Sequence, residues 1–148
     1  MIRNIIKIAF ILPLVILFGC KDKPLPMLPK ASSKMLDPNG TFTLFVSNQS
    51  FAISPVDVSV EIDGELVISD YFAVGTQHSF RPFRLSLAKG KHKIKISSQQ
   101  GKVELSTGFD LADQDVGVIT FWYYPKSHYE PTPRHFDFEI QKGPLLID

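Results

Sequence analysis

The stretch Val56–Ile68, which reads VDVSVEIDGELVI, decides the fold of this chain. Its first half alternates apolar and polar residues up to Asp63-Gly64, and a second apolar run follows directly. Strict alternation is typical of a half-buried strand, because successive strand side chains point to opposite faces. Asp-Gly between two such runs is a strong hairpin signal, since both turn residues accept a positive φ. The stretch therefore predicts two antiparallel strands joined by a tight turn.

The same period of two continues on both sides of this hairpin, and no part of the domain shows a convincing helical stripe. Val116–Tyr124 is apolar nearly throughout, which indicates a central strand covered on both faces. Short strands at regular spacing favour an all-β sandwich or barrel, and we expect an antiparallel, immunoglobulin-like β-sandwich of about seven or eight strands over residues 41–148. The predicted strands are Phe42–Val46, Val56–Ile62, Glu65–Ile68, Phe83–Leu87, His92–Ile96, Val103–Leu105, Val116–Tyr124 and Phe136–Ile140.

Two parts of the domain carry a family resemblance. VSVEIDGELV at 58–67 and FRLSLAKGKHKIKISSQQG at 83–101 resemble the small extracytoplasmic β-modules of the PEGA type. Modules of that type repeat a strand, Asp-Gly, a strand and Leu-x-x-Gly-x-His before a further strand. In this chain a longer middle section separates the two parts. The resemblance implies a β-fold and no active site.

The first residues of the chain have the three parts of a secretory signal. Arg3 and Lys7 give a basic start, Ile8–Phe18 is an apolar run, and Gly19 precedes the first cysteine. At the helical rise the apolar run covers roughly 17 Å, whereas a bilayer core is about 30 Å thick. It is too short for a comfortable transmembrane helix, so a signal segment is the better interpretation.

The end of this segment, Leu17-Phe18-Gly19-Cys20, resembles the lipobox of bacterial lipoproteins. The resemblance implies cleavage after Gly19, so that 1–19 is the signal peptide, and diacylation of the Cys20 sulfur. Leu17, Gly19 and Cys20 match the pattern, while Phe18 stands where a smaller residue is usual. The alternatives are an ordinary signal peptide with an incidental cysteine, or an uncleaved membrane anchor.

Cys20 is the only cysteine of the chain, so no internal disulfide can form. Lipidation would also consume a thiol that is a liability in an oxidising compartment. The residue after the cysteine is Lys21 rather than the aspartate that, in the lipoprotein family, signals inner-membrane retention. The resemblance therefore implies anchoring in the outer membrane, facing the periplasm, with surface display as the alternative.

Residues 20–40 form a proline-rich segment that separates the signal from the domain. Prolines at 24, 26, 29 and 38 exclude a regular helix or a central strand, and they predict a partly extended, lipid-anchored tether. The alternative is that Leu25, Met27 and Leu28 pack on the domain or on a partner. Asp37-Pro38-Asn39-Gly40 is a turn signal that marks the start of the domain.

Composition argues against several function classes. The 16 basic and 15 acidic residues nearly balance, and Arg3 and Lys7 leave with the signal, so nucleic acid is not an expected partner. The chain has no G-x-S-x-G motif and no free cysteine after lipidation, and we expect no enzyme, no metal and no cofactor. His135, Asp137 and Glu139 share one strand face, but neighbours two apart lie roughly 6.6 Å from each other, which suits a solvated face better than a metal.

The aromatic residues are the best lead to a function. Alternation places Trp122 and Tyr124 on one face of their strand and Phe121 and Tyr123 on the other, and Tyr129 follows in the next loop. If one pair is exposed, it forms an apolar platform with polar tips, which suits a protein contact or a sugar ring. The structural alternative is that both pairs pack in the core. We therefore expect a non-catalytic module that binds another envelope protein, with a carbohydrate-binding module as the alternative.

Overall fold

The computed structural model describes residues 24–31, 33–75, 79–126 and 130–145. The predicted signal peptide and Cys20 lie outside these residues. Within them we find no helix that is long and apolar enough to cross a membrane. The described residues form eight strands: β1 (Phe42–Asn48), β2 (Val56–Ile62), β3 (Glu65–Phe72), β4 (Arg81–Leu85), β5 (Gly90–Ser98), β6 (Val103–Leu111), β7 (Asp115–Tyr124) and β8 (Thr132–Lys142).

The strands form two four-stranded sheets, ordered β4-β1-β7-β8 and β3-β2-β5-β6. This confirms the prediction of an all-β sandwich with seven or eight strands. In the immunoglobulin fold the first two strands lie in the same sheet. Here β1 and β2 lie in opposite sheets, so the strand order differs from that arrangement.

The prediction of a wholly antiparallel sandwich is wrong for one pair of strands. β1 and β7 run parallel, with Thr43 beside Val116 and Asn48 beside Phe121. A short hairpin forces its two strands to be antiparallel, but a long connection imposes no such constraint. Because most of the domain separates β1 from β7, local sequence patterns carried no information about their relative direction.

The hairpin predicted over Val56–Ile68 is confirmed. β2 and β3 pair antiparallel around Asp63 and Gly64, whose φ angles are 52° and 82°. The apolar side chains of β2 are fully buried against residues from the other sheet. Gly117 of β7 makes room for two side chains of β1, because a Cβ at this position would lie 2.8 Å from Leu44 Cδ1 and 2.8 Å from Phe42 Cζ. The core members contributed by β1, β2 and β7 are Phe42, Leu44, Val46, Val56, Val58, Val60, Ile62, Ile119 and Phe121.

Contacts between the sheets define two ends of the sandwich. At the upper end, the Asn48 side-chain amide donates to the carbonyl of Phe72, 3.0 Å away. At the lower end, Phe42 stacks on Phe109, with ring centroids 6.0 Å apart. Trp122 belongs to the upper end, since β7 runs parallel to β1 and Phe121 lies beside Asn48.

Residues 24–31 and 33–40, which we call the edge segment, contact the sandwich along β3 and β4. The Met35 carbonyl accepts from Ser86 N–H at 2.8 Å, and the Asp37 N–H donates to the Arg84 carbonyl at 3.1 Å. Leu36 forms a β-bridge with Leu85. The later part of the predicted tether is therefore attached to the β4 edge by backbone hydrogen bonds.

Candidate binding surface

The end of β7 separates its four aromatic residues onto two faces, as the alternation predicts. Phe121 is fully buried and packs on Phe136, with ring centroids 5.4 Å apart. Trp122 and Tyr124 are half-buried on the outward face, with ring centroids 6.2 Å apart and ring planes tilted by 46°. We call Trp122 and Tyr124 the aromatic pair. The inward position of Phe121 excludes core packing of both pairs.

The loop between β1 and β2 holds the aromatic pair in place. Gln49 N–H donates to the Phe121 carbonyl at 2.9 Å, and the Ser50 hydroxyl donates to the Tyr123 carbonyl at 2.7 Å. The Tyr124 hydroxyl donates back to the Gln49 carbonyl. These bonds on successive residues fix the rotamer of Tyr124 and the course of the loop, so the aromatic pair stands on a rigid support.

Buried Asn48 fixes the same loop from below. Its Nδ2 donates to the Ile53 carbonyl at 2.8 Å, and its Oδ1 accepts from Ser50 N–H at 2.8 Å. Buried amides are stable only when they are hydrogen-bonded, and this one bonds on both sides. The loop is thereby anchored at both of its ends.

Phe51, the residue after Ser50 in the β1–β2 loop, is 64% exposed. The sequence pattern places it between two predicted strands and indicates no role for it. A lone phenylalanine between Ser50 and Ala52 was the available signal, but it does not distinguish an exposed ring from one that folds back into the core. The structure adds it as a third aromatic residue at the upper end, more exposed than the half-buried aromatic pair.

Polar and charged groups lie on both faces of β7 near the aromatic pair, His135 beside Trp122 and Arg134 on the Tyr123 side. His135 lies beside Trp122 on β8, and its Nδ1 is 2.9 Å from the Pro133 carbonyl. The His135 Nε2 is 3.7 Å from Asp137 Oδ2, and the Arg134 guanidinium lies 4.5 Å from the centre of the Tyr123 ring. Among the described residues, no group of three or more His, Cys, Asp or Glu side chains could hold a metal ion.

Three of the predicted site residues lie outside the described residues. They are Gly19 and Cys20, predicted for signal cleavage and lipidation, and Tyr129, predicted for the binding surface. Their roles stay predictions, while Trp122 and Tyr124 are brought together as described above.

A second cluster of titratable groups lies at the lower end, around His92. Its Nδ1 is 2.7 Å from Asp63 Oδ2 and its Nε2 is 2.8 Å from the Ala88 carbonyl oxygen. Both partners are acceptors, and only the doubly protonated ring has two N–H donors. The ring also packs on Phe109, with centroids 5.3 Å apart. The cluster borders a shallow cleft of about 540 Å³, also lined by Lys91 and Asp110.

The pKa values of this pair move in opposite directions. Burial disfavours the charge on His92, but its hydrogen bonds to Asp63 and to the Ala88 carbonyl outweigh burial and raise the pKa of His92 above its ordinary value. The hydrogen bond with His92, helped by the Lys93 backbone N–H, lowers the pKa of Asp63. The charged pair joins the β2–β3 turn to β5 and to the β4–β5 loop.

Two buried carboxylates accept hydrogen bonds from the backbone of neighbouring turns. Asp57, which is 3% exposed, accepts from the Ser98 hydroxyl and from two backbone N–H groups of the β5–β6 turn. Asp115 accepts from Ala112 N–H at 2.7 Å and pairs with the Lys142 ammonium at 2.5 Å. The Lys142 hydrogen bond and the Ala112 N–H lower the pKa of Asp115. Both carboxylates therefore act as structural acceptors.

Comparison with protein-family models, with characterised protein sequences and with solved structures gave no match for this chain.

Proposed function

We propose that this chain is a lipid-anchored lipoprotein of the bacterial cell envelope whose β-sandwich is a non-catalytic protein-interaction module. The observation that carries the proposal is the aromatic pair, which stands on the outward face of β7 on a hydrogen-bonded support. Half-buried tryptophan and tyrosine combine large apolar area with polar tips, and these residue types are enriched among those that dominate protein interfaces.

The lipobox resemblance supports the anchor and its location. Acylation of Cys20 would attach the mature chain to a membrane, and Lys21 favours the periplasmic face of the outer membrane, with surface display as the alternative. We group the domain with immunoglobulin-like sandwiches by its two-sheet architecture, which such domains share without always sharing one strand order.

The geometry of the aromatic pair favours a protein over a sugar as its partner. The ring planes are tilted by 46°, so they do not form one flat platform for a sugar ring. The two tilted rings offer apolar surface to a partner side chain, with His135 beside Trp122. This arrangement of an apolar centre with a polar rim is typical of protein interfaces.

Cross-linking in cells with the full-length protein tests the proposal. Trp122→Ala should reduce capture of a defined partner by about tenfold or more, since interface tryptophans often contribute at least 1.4 kcal/mol. Leu36→Ala is the matched control, because Leu36 is 38% exposed but lies at the lower end. Cys20→Ser should abolish capture altogether. Equal capture by the Trp122 and Leu36 variants would contradict the proposal.

A carbohydrate-binding module is the second candidate. It is favoured by His135, which lies beside Trp122, and by Asp137, which lies 3.7 Å from His135 Nε2, because both offer hydrogen-bonding groups near an aromatic ring. Retention on insoluble cell-wall material that requires Trp122, without a cross-linked protein, would favour this candidate over the first.

A further inference from the structure

The edge segment runs along the sandwich from the upper end to the lower end. The Tyr71 hydroxyl, near the upper end of β3, donates to the Pro26 carbonyl at 2.7 Å. At the other end of β3, Glu65 Oε1 accepts from Lys34 N–H at 3.0 Å. The backbone then bonds to β4 and turns into β1 at the lower end. The residues nearest to Cys20 in sequence are therefore held at the upper end.

This course limits how far the upper end can lie from Cys20. Five residues lie between Cys20 and Pro26, and an extended chain over these six Cα-to-Cα steps reaches on the order of 20 Å. A free tether from 20 to 40 would reach on the order of 70 Å. Docking of the edge segment on β3 and β4 thus removes most of the reach that the prolines predict.

Exposed apolar side chains concentrate at the same upper end. Among the described residues, the exposed large apolar side chains are Leu25 at 48%, Met27 at 97%, Phe51 at 64% and Leu36 at 38%. The first two flank Pro26, and Phe51 lies in the β1–β2 loop, which is bonded to the end of β7. Leu36 alone pairs at the lower end. The fold itself leaves Leu25, Met27 and Phe51 exposed to water unless another molecule covers them.

We infer that the upper end rests on the lipid bilayer, with Leu25, Met27 and Phe51 inserted among the lipid headgroups. The inference rests on the proposed acylation of Cys20, which supplies the bilayer within reach of these residues. Exposed apolar side chains close to a lipid anchor gain by entering the interface, and a second membrane contact strengthens anchoring. The aromatic pair, at the same end, lies near the level of the headgroups, where tryptophan and tyrosine are enriched. Its protein partner is then one that lies in or on the same membrane.

Site-specific labelling of the full-length, membrane-extracted protein tests the inference. Acylated Cys20 leaves no other thiol, so a new cysteine can be labelled selectively with an environment-sensitive fluorophore. The positions are Met27→Cys and Phe51→Cys, with Leu36→Cys as the matched control. The proteins are reconstituted in phosphatidylcholine–phosphatidylglycerol vesicles that contain headgroup-nitroxide lipids. We expect at least threefold stronger quenching at 27 and 51 than at 36.

The outcomes separate this inference from the proposed function. Equal quenching at all three positions, with an acyl chain on Cys20 found by mass spectrometry, overturns the membrane contact and leaves the anchored interaction module standing. An unacylated Cys20 overturns both. Labels at 27 and 51 that are shielded in cells but not quenched in vesicles overturn lipid as the occupant and indicate a protein there. Thermal unfolding of each variant shows whether the label has disturbed the fold.

Discussion

Replacing Asp57 with alanine should lower the free energy of unfolding by about 3–5 kcal/mol. One buried carboxylate closes the β5–β6 turn through three hydrogen bonds, to Ser98 Oγ at 2.9 Å, Gln99 N at 2.7 Å and Gln100 N at 2.8 Å. The Ser98 hydroxyl in turn accepts from Gly101 N–H at 2.7 Å. Removing the carboxylate therefore loosens the whole turn at the upper end.

The size of the expected loss in free energy of unfolding follows from how exposed the three hydrogen-bond donors to Asp57 are. Ser98 is buried, so leaving its hydroxyl without the carboxylate costs about 1–3 kcal/mol. The N–H groups of Gln99 and Gln100 are partly accessible, so water replaces the carboxylate and each lost bond costs about 1 kcal/mol. For a domain near 100 residues, such a loss corresponds to a decrease in Tm on the order of 15–25 °C.

Urea and thermal denaturation, followed by far-UV circular dichroism and by the fluorescence of the sole tryptophan, would measure this loss. Asp57→Asn keeps one acceptor oxygen and should lose roughly half as much. Asp113→Ala is the control, because its ion pair with Lys89 is solvent-exposed and should matter by less than about 0.5 kcal/mol. A loss below about 1 kcal/mol for Asp57→Ala would refute the reasoning, since the cap would then carry no more than an ordinary surface contact.

Two further predictions concern the lower end. Gly40→Ala would place a Cβ 2.3 Å from the Leu85 carbonyl carbon, so it should release the edge segment from the sandwich and speed up proteolysis before residue 40. Gly108→Ala is the control, because its Cβ would lie 3.6 Å from the nearest atom, and it should leave the rate of proteolysis unchanged. The Asp63–His92 pair should stabilise the fold fully between pH 3.8, the ordinary pKa of Asp63, and pH 6.5, the ordinary pKa of His92. Its contribution should be lost as the pH rises through the raised pKa of His92, and also as the pH falls through the lowered pKa of Asp63. Urea denaturation across pH measures this contribution, which should be absent in His92→Gln.

Local patterns predicted the strands but not their partners. The alternation of Val56–Ile62 and the Asp63-Gly64 turn are local, so the β2–β3 hairpin followed from the sequence. The parallel pairing of β1 with β7 depends on residues more than 70 positions apart, and no period within either strand encodes it. Burial fixes which face of a strand points inward, whereas strand order depends on how the two sheets pack.

The candidate binding surface could also be predicted only in part from local patterns. Alternation showed that Trp122 and Phe121 point to opposite faces, but both faces carry aromatic residues, so the sequence could not say which face is outward. The structure decides it through the packing of Phe121 on Phe136 inside the sandwich. Phe51 was not predicted, because its exposure depends on the hydrogen bonds of Asn48 and Ser50, which join distant parts of the chain.

The edge segment shows why proline content alone is a weak guide to a free tether. Proline removes an N–H donor and fixes φ, but its carbonyl remains a full acceptor. Pro26 uses that carbonyl to accept from Tyr71, and the residues after Pro29 supply the N–H groups that bond to Glu65 and to β4. A proline-rich segment can therefore dock on a sheet edge without forming a regular strand.

The docking of this segment also determines which partners a lipid-anchored sandwich could meet. A flexible tether of twenty residues would let the domain search about 25 Å from its anchor on average. If Cys20 is acylated as proposed, only five residues lie between the anchor and Pro26, which Tyr71 holds, so the aromatic pair would be confined near the membrane. Each hydrogen bond that holds the segment contributes about 1 kcal/mol, so a few substitutions such as Gly40→Ala would restore the longer reach. Capture of a membrane-embedded partner should then fall, while capture of partners farther from the membrane should rise.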